Sequence, residues 1–279
     1  MCPIILRIPL PWGQSLPLHS YGLMVVVGFL LATRVASREA RRRGLPDYVY
    51  DLGIVMLLTG FLGGRIFYYV ENFQEEYADK PFLEFFMIWK GGLVFYGGAI
   101  SGFLGGVFYC WKKKLPVAEC LDVMAIGAPI GMAFGRIGCF LNGCCFGTVC
   151  DPAFALGVIF PKNAELENYQ WRGGWIDTPL SRPLPVHPVQ LYQATHDFLL
   201  FGILFWYLRR PDAPVGAGMP LLFFLYGVGR FFLEGLRGDN TPTITGLTIS
   251  QNLSLALIVG FGSVFVALFA RSRKKLTLG

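Results

Sequence analysis

Along the chain, long apolar stretches alternate with short polar connectors, at residues 20–37, 51–70, 91–111, 118–135, 188–208, 216–233 and 247–270. Each is close to the roughly 20 residues that an α-helix needs to cross about 30 Å of hydrocarbon. The pattern predicts an all-α polytopic membrane protein of about seven transmembrane helices, forming a single integral membrane domain over residues 1–279. Of the connections, 71–90 is acidic and aromatic, whereas 144–187 is rich in Pro, Gly and Trp and long enough to form a small external cap.

Composition supports this reading. Of 279 residues, 54% are hydrophobic and 15% charged, with a mean hydropathy of +0.51; soluble domains carry roughly 25% charged residues. The net charge of +6 would suggest nucleic acid if the basic residues shared one soluble surface. They fall instead in four bursts: Arg38, Arg41, Arg42 and Arg43; Lys112, Lys113 and Lys114; Arg209 and Arg210; Arg271, Arg273, Lys274 and Lys275. Seven alternating crossings put all four on one face. The positive-inside rule makes that face cytoplasmic, with the N-terminus outside and the C-terminus inside. A six-span arrangement would leave a burst on the wrong side. The first apolar run has its arginines after it, unlike a cleavable signal peptide, so it is expected to stay as an anchor.

Ionisable residues within spans are costly to insert and are therefore functional candidates. They are Arg65, Asp122, Arg136 at the outer end of span four, and Arg230 with Glu234 and Arg237 at the outer end of span six. Arg230 and Glu234, at i and i+4, also have the spacing of a plain helix-surface ion pair. Arginine presents a planar fork that matches two phosphate oxygens and stays charged when desolvated. Arg136 and Arg230 near the outer interface therefore suit an anionic lipid headgroup. Glycines at 91, 92, 97, 98, 102, 105 and 106, then 127, 131, 135 and 138, read mostly as close helix packing; Gly97 and Gly98 would also let a headgroup approach the backbone.

The segment Gly-Arg-Ile-Gly-Cys-Phe-Leu-Asn-Gly-Cys-Cys-Phe-Gly at 135–147 resembles the signature of the prolipoprotein diacylglyceryl transferase family. Further blocks agree in order: His-Ser-Tyr-Gly-Leu-Met at 19–24, Gly-Gly-Arg-Ile at 63–66, Gly-Gly-Leu-Val-Phe-Tyr-Gly-Gly at 91–98, His-Pro-Val-Gln-Leu-Tyr at 187–192 and Tyr-Gly-Val-Gly-Arg-Phe-Phe-Leu-Glu at 226–234. The resemblance implies transfer of the diacylglyceryl group of phosphatidylglycerol to the lipobox cysteine thiol of secreted prolipoproteins, giving a thioether and glycerol phosphate, in a bacterial inner membrane. It implies that Arg136 and Arg230 hold the phosphate and stabilise the leaving group. By the resemblance Tyr21, Asn142, His187, Tyr226 and Glu234 would shape the pocket, and the costly charges Arg65 and Asp122 together with Gly97 and Gly98 are expected to join them in the surrounding lipid site. No cofactor is implied, since the donor is already activated as a phosphate ester, and neither metal nor nucleic acid is expected.

Two departures stand out against the resemblance. Tyr96 occupies a position where many family members have histidine; with an ordinary pKa of about 10 it is a poor base at neutral pH and is expected to act by hydrogen bonding. Cys139 and Cys144 stand where the family often has Asn and Glu, with Cys145 and Cys150 nearby. A disulfide bracing the loop of Asn142 and buried free thiols are both open readings. His196, beside Asp197, reads as a helix-packing residue. Two other function classes remain: a transporter or channel, against which stands the lack of an inverted repeat, and an inactive membrane scaffold, against which stand Arg136, Asn142, Arg230 and Glu234.

Overall fold

The computed structural model describes residues 3–9, 15–77, 82–86, 92, 94–161, 164–179, 181–238, 243 and 245–278. Eight helices follow an antiparallel hairpin of β1 (Ile4–Pro9) and β2 (Ser15–His19). They are α1 (Ser20–Arg42), α2 (Val49–Glu71), α3 (Phe95–Lys112), α4 (Val117–Asn142), α5 (Ala164–Arg172), α6 (Val189–Tyr207), α7 (Gly218–Glu234) and α8 (Ile249–Leu278). All but α5 fall on the seven apolar runs.

Four of these are long and apolar enough to cross a membrane: α1, α2, α4 and residues Ile249–Arg273 of α8. The count of seven spans is therefore met by four helices on length and composition. The other three fall short for visible reasons. α7 has 17 residues, α3 includes five glycines that add no hydrophobicity, and α6 carries Gln190, Gln193, His196 and Asp197. Only 6% of the apolar window of α8 is buried, and Leu30, Leu58, Leu199, Val259 and Val266 are exposed. Apolar surface on this scale belongs against lipid, where it carries no hydration cost.

The chain forms two compact units, one of Ala36–Cys120 and one of Met1–Val35 with Leu121–Gly279. In the Ala36–Cys120 unit, α2 and α3 pack closely through small residues. A Cβ on Gly63 would meet the Ser101 side chain at 1.9 Å, one on Gly97 the Phe67 ring at 2.5 Å, and one on Gly98 the Gly60 carbonyl at 3.1 Å. Close approach of this kind replaces the hydrophobic driving force that lipid cannot supply. α3 starts four residues later than the apolar run because Gly92, at φ +82°, turns its carbonyl onto Arg65 Nη1 at 2.9 Å.

In the larger unit, Ala125 and Ile126 of α4 pack with Leu200 and Leu204 of α6 and Leu221 and Leu222 of α7. Between α4 and α6 the chain builds a cap around Phe146, Phe160, Leu166 and Val186. Its framework is a set of short backbone pairings: Val158 N–H donates to Val186 O at 3.0 Å, His187 N–H to Thr148 O at 3.0 Å, and Thr148 N–H to Leu236 O at 2.8 Å. These tie the segment after α4 to the entry of α6 and the exit of α7.

Candidate active site

The C-terminal ends of α4 and α7 carry the polar residues singled out in the sequence. Arg136 lies near the end of α4 and is half-buried; among the described residues it makes no hydrogen bond or ion pair. An arginine kept near protein but left without a carboxylate or carbonyl holds its donors for a ligand. Arg136, Arg230 and Arg237 are close enough to act on one another electrostatically, and Tyr226 acts on both Arg136 and Arg230.

Arg230 is held differently. Its Nη2 is 2.6 Å from Glu234 Oε2, with side-chain exposures of 11% and 0%, so the i, i+4 pair is internal and not on a helix surface. Gln193 Oε1 accepts from Nη1 and Ser250 Oγ from Nη2, both at 3.4 Å. The second oxygen of Glu234 accepts from Thr248 Oγ1 at 3.0 Å. Arg237 Nε approaches Glu234 Oε2 at 4.0 Å. One buried carboxylate thus faces two guanidinium groups through Oε2, while its Oε1 is met by Thr248, the residue just before α8.

Tyr21 packs over Gly138, where a Cβ would meet its Cδ2 at 3.1 Å, and it lies beside Arg136 and the thiols of Cys139, Cys144 and Cys145. The three sulfur atoms of those cysteines are within 4.8 Å of one another, and all the described cysteines are free thiols. Neighbouring thiols of Cys139 and Cys144 pull the Cys145 thiol far below the ordinary range, aided by Arg237 and Arg136. Burial pushes Cys150 up. Asn142 ends α4, exposed and within reach of Cys144. His187 lies in the cap just before α6, its Nδ1 3.4 Å from Tyr192 Oη and its ring edge-on to Phe154.

α6 turns a polar stripe inward. Gln190, Gln193 and Asp197 are each at most 1% exposed, and Gln190 Oε1, Gln193 Nε2 and Asp197 Oδ2 are buried with no hydrogen-bond partner among the described residues. Such atoms carry a desolvation cost unless a ligand or water meets them. His196 Nδ1 is 3.3 Å from Asp197 Oδ1, and its ring fills the space over Gly229, where a Cβ would fall 2.0 Å from Nε2. It is a packing residue, as its sequence context suggested.

Thus Tyr21, Arg136, Tyr226, Arg230 and Glu234 come together, with Asn142 at the end of α4 and His187 on the adjoining cap. Asp122 does not join them. It lies 14 residues before Arg136 on the same helix, about 21 Å away along the axis. Its carboxylate accepts backbone N–H groups of Gly216 at 2.9 Å and Gly218 at 2.7 Å, fixing the start of α7. Arg65, 2% exposed, donates to the carbonyls of Phe85, Gly92 and Glu84 at 2.8, 2.9 and 3.0 Å and so shapes the connection beyond α2. Gly97 and Gly98 face α2, in packing contact. The Tyr96 side chain lies outside the described residues. Sequence reasoning counted Arg237 among the functional candidates without giving it a role, and did not assign Gln193, Ser250 or Thr248 to the site.

The sequence model of the prolipoprotein diacylglyceryl transferase family matches residues 7–267. A phosphatidylglycerol--prolipoprotein diacylglyceryl transferase of Clostridium tetani is 32% identical over 263 residues, covering 94% of this chain and 96% of its own. One of Shigella boydii is 35% identical over 271 residues, covering 91% and 90%. One of Streptococcus uberis is 32% identical over 259 residues, covering 92% of each.

Proposed function

Because the chain belongs to the prolipoprotein diacylglyceryl transferase family, we propose that Arg136 and Arg230 clamp the phosphate of phosphatidylglycerol while its glyceryl carbon is attacked. The protein is a membrane transferase that moves the diacylglyceryl group of phosphatidylglycerol to a prolipoprotein. The thiolate of the lipobox cysteine forms a C–S bond to the glyceryl carbon. The C–O bond to phosphate breaks, and its electron pair leaves with glycerol phosphate. Negative charge therefore grows on the departing phosphate, and fixed donors placed there stabilise the transition state more than the ground state.

The observation that carries the assignment is Arg136, half-buried and with no hydrogen bond or ion pair among the described residues, beside a second arginine that Glu234 holds in place. Tyr21, Tyr226, Asn142 and His187 border the lipid, and the unpartnered atoms of Gln190, Gln193 and Asp197 supply both donor and acceptor to the hydroxyls of the headgroup glycerol. A transport path would need polar groups through the middle of the bundle; here the arginines gather at one end of α4 and α7. The basic bursts favour a cytoplasmic face opposite that end, which puts the site at the outer leaflet of the cell membrane, where secreted prolipoproteins arrive.

Mass spectrometry of a lipobox peptide incubated with the protein and phosphatidylglycerol tests this reading. Wild type should add a diacylglyceryl group to cysteine and release glycerol phosphate, while Arg230→Ala should do neither. An adduct formed at the wild-type rate by Arg230→Ala would remove the phosphate clamp.

A further inference from the structure

We propose that Cys139, Cys144 and Cys145 hold a zinc ion whose fourth coordination position receives the thiol of the incoming prolipoprotein cysteine. This rests on the transfer reaction above and adds to it the group that ionises the nucleophile. Three sulfur atoms lie within 4.8 Å of one another. Zinc–sulfur bonds of about 2.3 Å in tetrahedral geometry set sulfurs about 3.8 Å apart, so closure needs shifts of about 1 Å or less.

The backbone is built for this convergence. α4 ends at Asn142, and Gly143 at φ +82° and Cys145 at φ +60° reverse the chain at once. Cys145 is one of two non-glycine residues at positive φ among those described, a conformation that L-residues adopt only when their surroundings hold them there. The reversal is pinned: Gly143 N–H and Cys144 N–H both donate to Cys139 O, at 2.9 and 3.2 Å. From α6, Gln190 Nε2 donates to Cys144 O at 2.8 Å. A helix residue and two loop residues are thereby fixed with their sulfur atoms together.

Three protein ligands with an open fourth position is the pattern of a zinc site that does chemistry, whereas structural zinc is closed by four. All three cysteines are partly exposed, so a fourth ligand has access. Tyr21 and Arg136 border the cluster, which places the open position beside the proposed phosphate site. Three thiolates and one divalent ion leave a single negative charge, and a fourth thiolate adds another; Arg136 and Arg237, both close to Cys145, offset that charge. A thiol that coordinates zinc is deprotonated outright, its proton passing to solvent water, and the retained sulfur lone pair attacks the glyceryl carbon. The chain thus ionises the acceptor without a histidine at position 96, where tyrosine is a weak base at neutral pH.

The first readout is zinc content of the full-length protein purified in detergent. One zinc per chain is expected, lost in Cys139→Ser and in Cys145→Ser with thermal unfolding recorded beside it. Cobalt(II) exchanged into the site should show sulfur-to-cobalt charge transfer that grows when a lipobox peptide binds, and does not grow with the Cys→Ser peptide. This optical change survives even if a serine variant folds poorly. A free thiol of pKa about 8.5 is roughly 3% ionised at pH 7, so stripping zinc should slow transfer about thirtyfold, restored by zinc. Arg230→Ala should keep its zinc while losing transfer, so a failed lipid site and a failed metal site are told apart. Full-rate transfer by zinc-free protein, a disulfide among the three cysteines, copper in place of zinc, or zinc held equally by the serine variants would overturn the inference.

Discussion

Arg230 Nη2 lies 2.6 Å from Glu234 Oε2, one turn further along α7, and the carboxylate is wholly shielded from solvent. Glu234 also approaches Arg237, so removing its charge leaves two guanidinium groups without their anchor. Breaking a buried pair by deleting one partner costs about 3–5 kcal/mol. Glu234→Gln should lower the thermal unfolding midpoint in detergent and reduce transfer at saturating lipid; unchanged values of both would show that the pair is incidental.

Arg136 presents the opposite case, a half-buried arginine with no hydrogen bond or ion pair among the described residues. Arg136→Ala should abolish transfer with little effect on the unfolding midpoint, because no hydrogen bond or ion pair among the described residues is lost. Arg136→Lys should retain a small part of the activity, since a point charge replaces a two-pronged donor. A large fall in stability for Arg136→Ala would recast the residue as structural.

Asp122 accepts from the N–H groups of Gly216 and Gly218. Hydrogen bonds to a charged group contribute about 1.5–3 kcal/mol each, so Asp122→Ala should destabilise the fold while the surviving protein turns over phosphatidylglycerol at the normal rate. A raised KM for lipid with normal stability would return Asp122 to the substrate site.

Gly97 faces Phe67 so closely that a Cβ would sit 2.5 Å from the ring. Gly97→Ala should separate α2 and α3 and lower the yield of folded protein, measured by size-exclusion profile and unfolding midpoint. A stable, inactive Gly97→Ala would instead favour backbone contact with the headgroup.

Gln193 Oε1 accepts from Arg230, while its Nε2 is buried with no hydrogen-bond partner among the described residues. Gln193→Leu should weaken discrimination between phosphatidylglycerol and phosphatidylethanolamine in competition assays, by about tenfold, the size of one lost hydrogen bond.

The helices were readable from the chain because an apolar run of about 20 residues has few other solutions in lipid. Their ends were less so. α1 continues to Arg42 and α4 to Asn142, past the apolar runs, because charged side chains remain good helix formers once they reach the interface. The hairpin at residues 4–19 went unseen: Pro3, Pro9, Pro11 and Pro17 argue against a strand unless it lies at an edge, and here both strands are edges. α5 was hidden in a cap that reads as loop by its Pro and Gly content.

By itself the sequence determined an apolar helical protein, the positions of its basic bursts and the residue types at the helix ends, since these depend on local composition and on order along the chain. The tertiary structure decided which of those residues meet. Arg65 and Asp122 look as expensive in the sequence as Arg136, yet both are turned onto backbone groups, whereas Arg136 makes no hydrogen bond or ion pair among the described residues. Cys139, Cys144 and Cys145 left disulfide and free thiol open on spacing alone, because six residues of chain fix no sulfur positions until a left-handed turn folds them together. A side chain's partners come from neighbouring elements, and that proximity is a property of packing that no one-dimensional pattern contains.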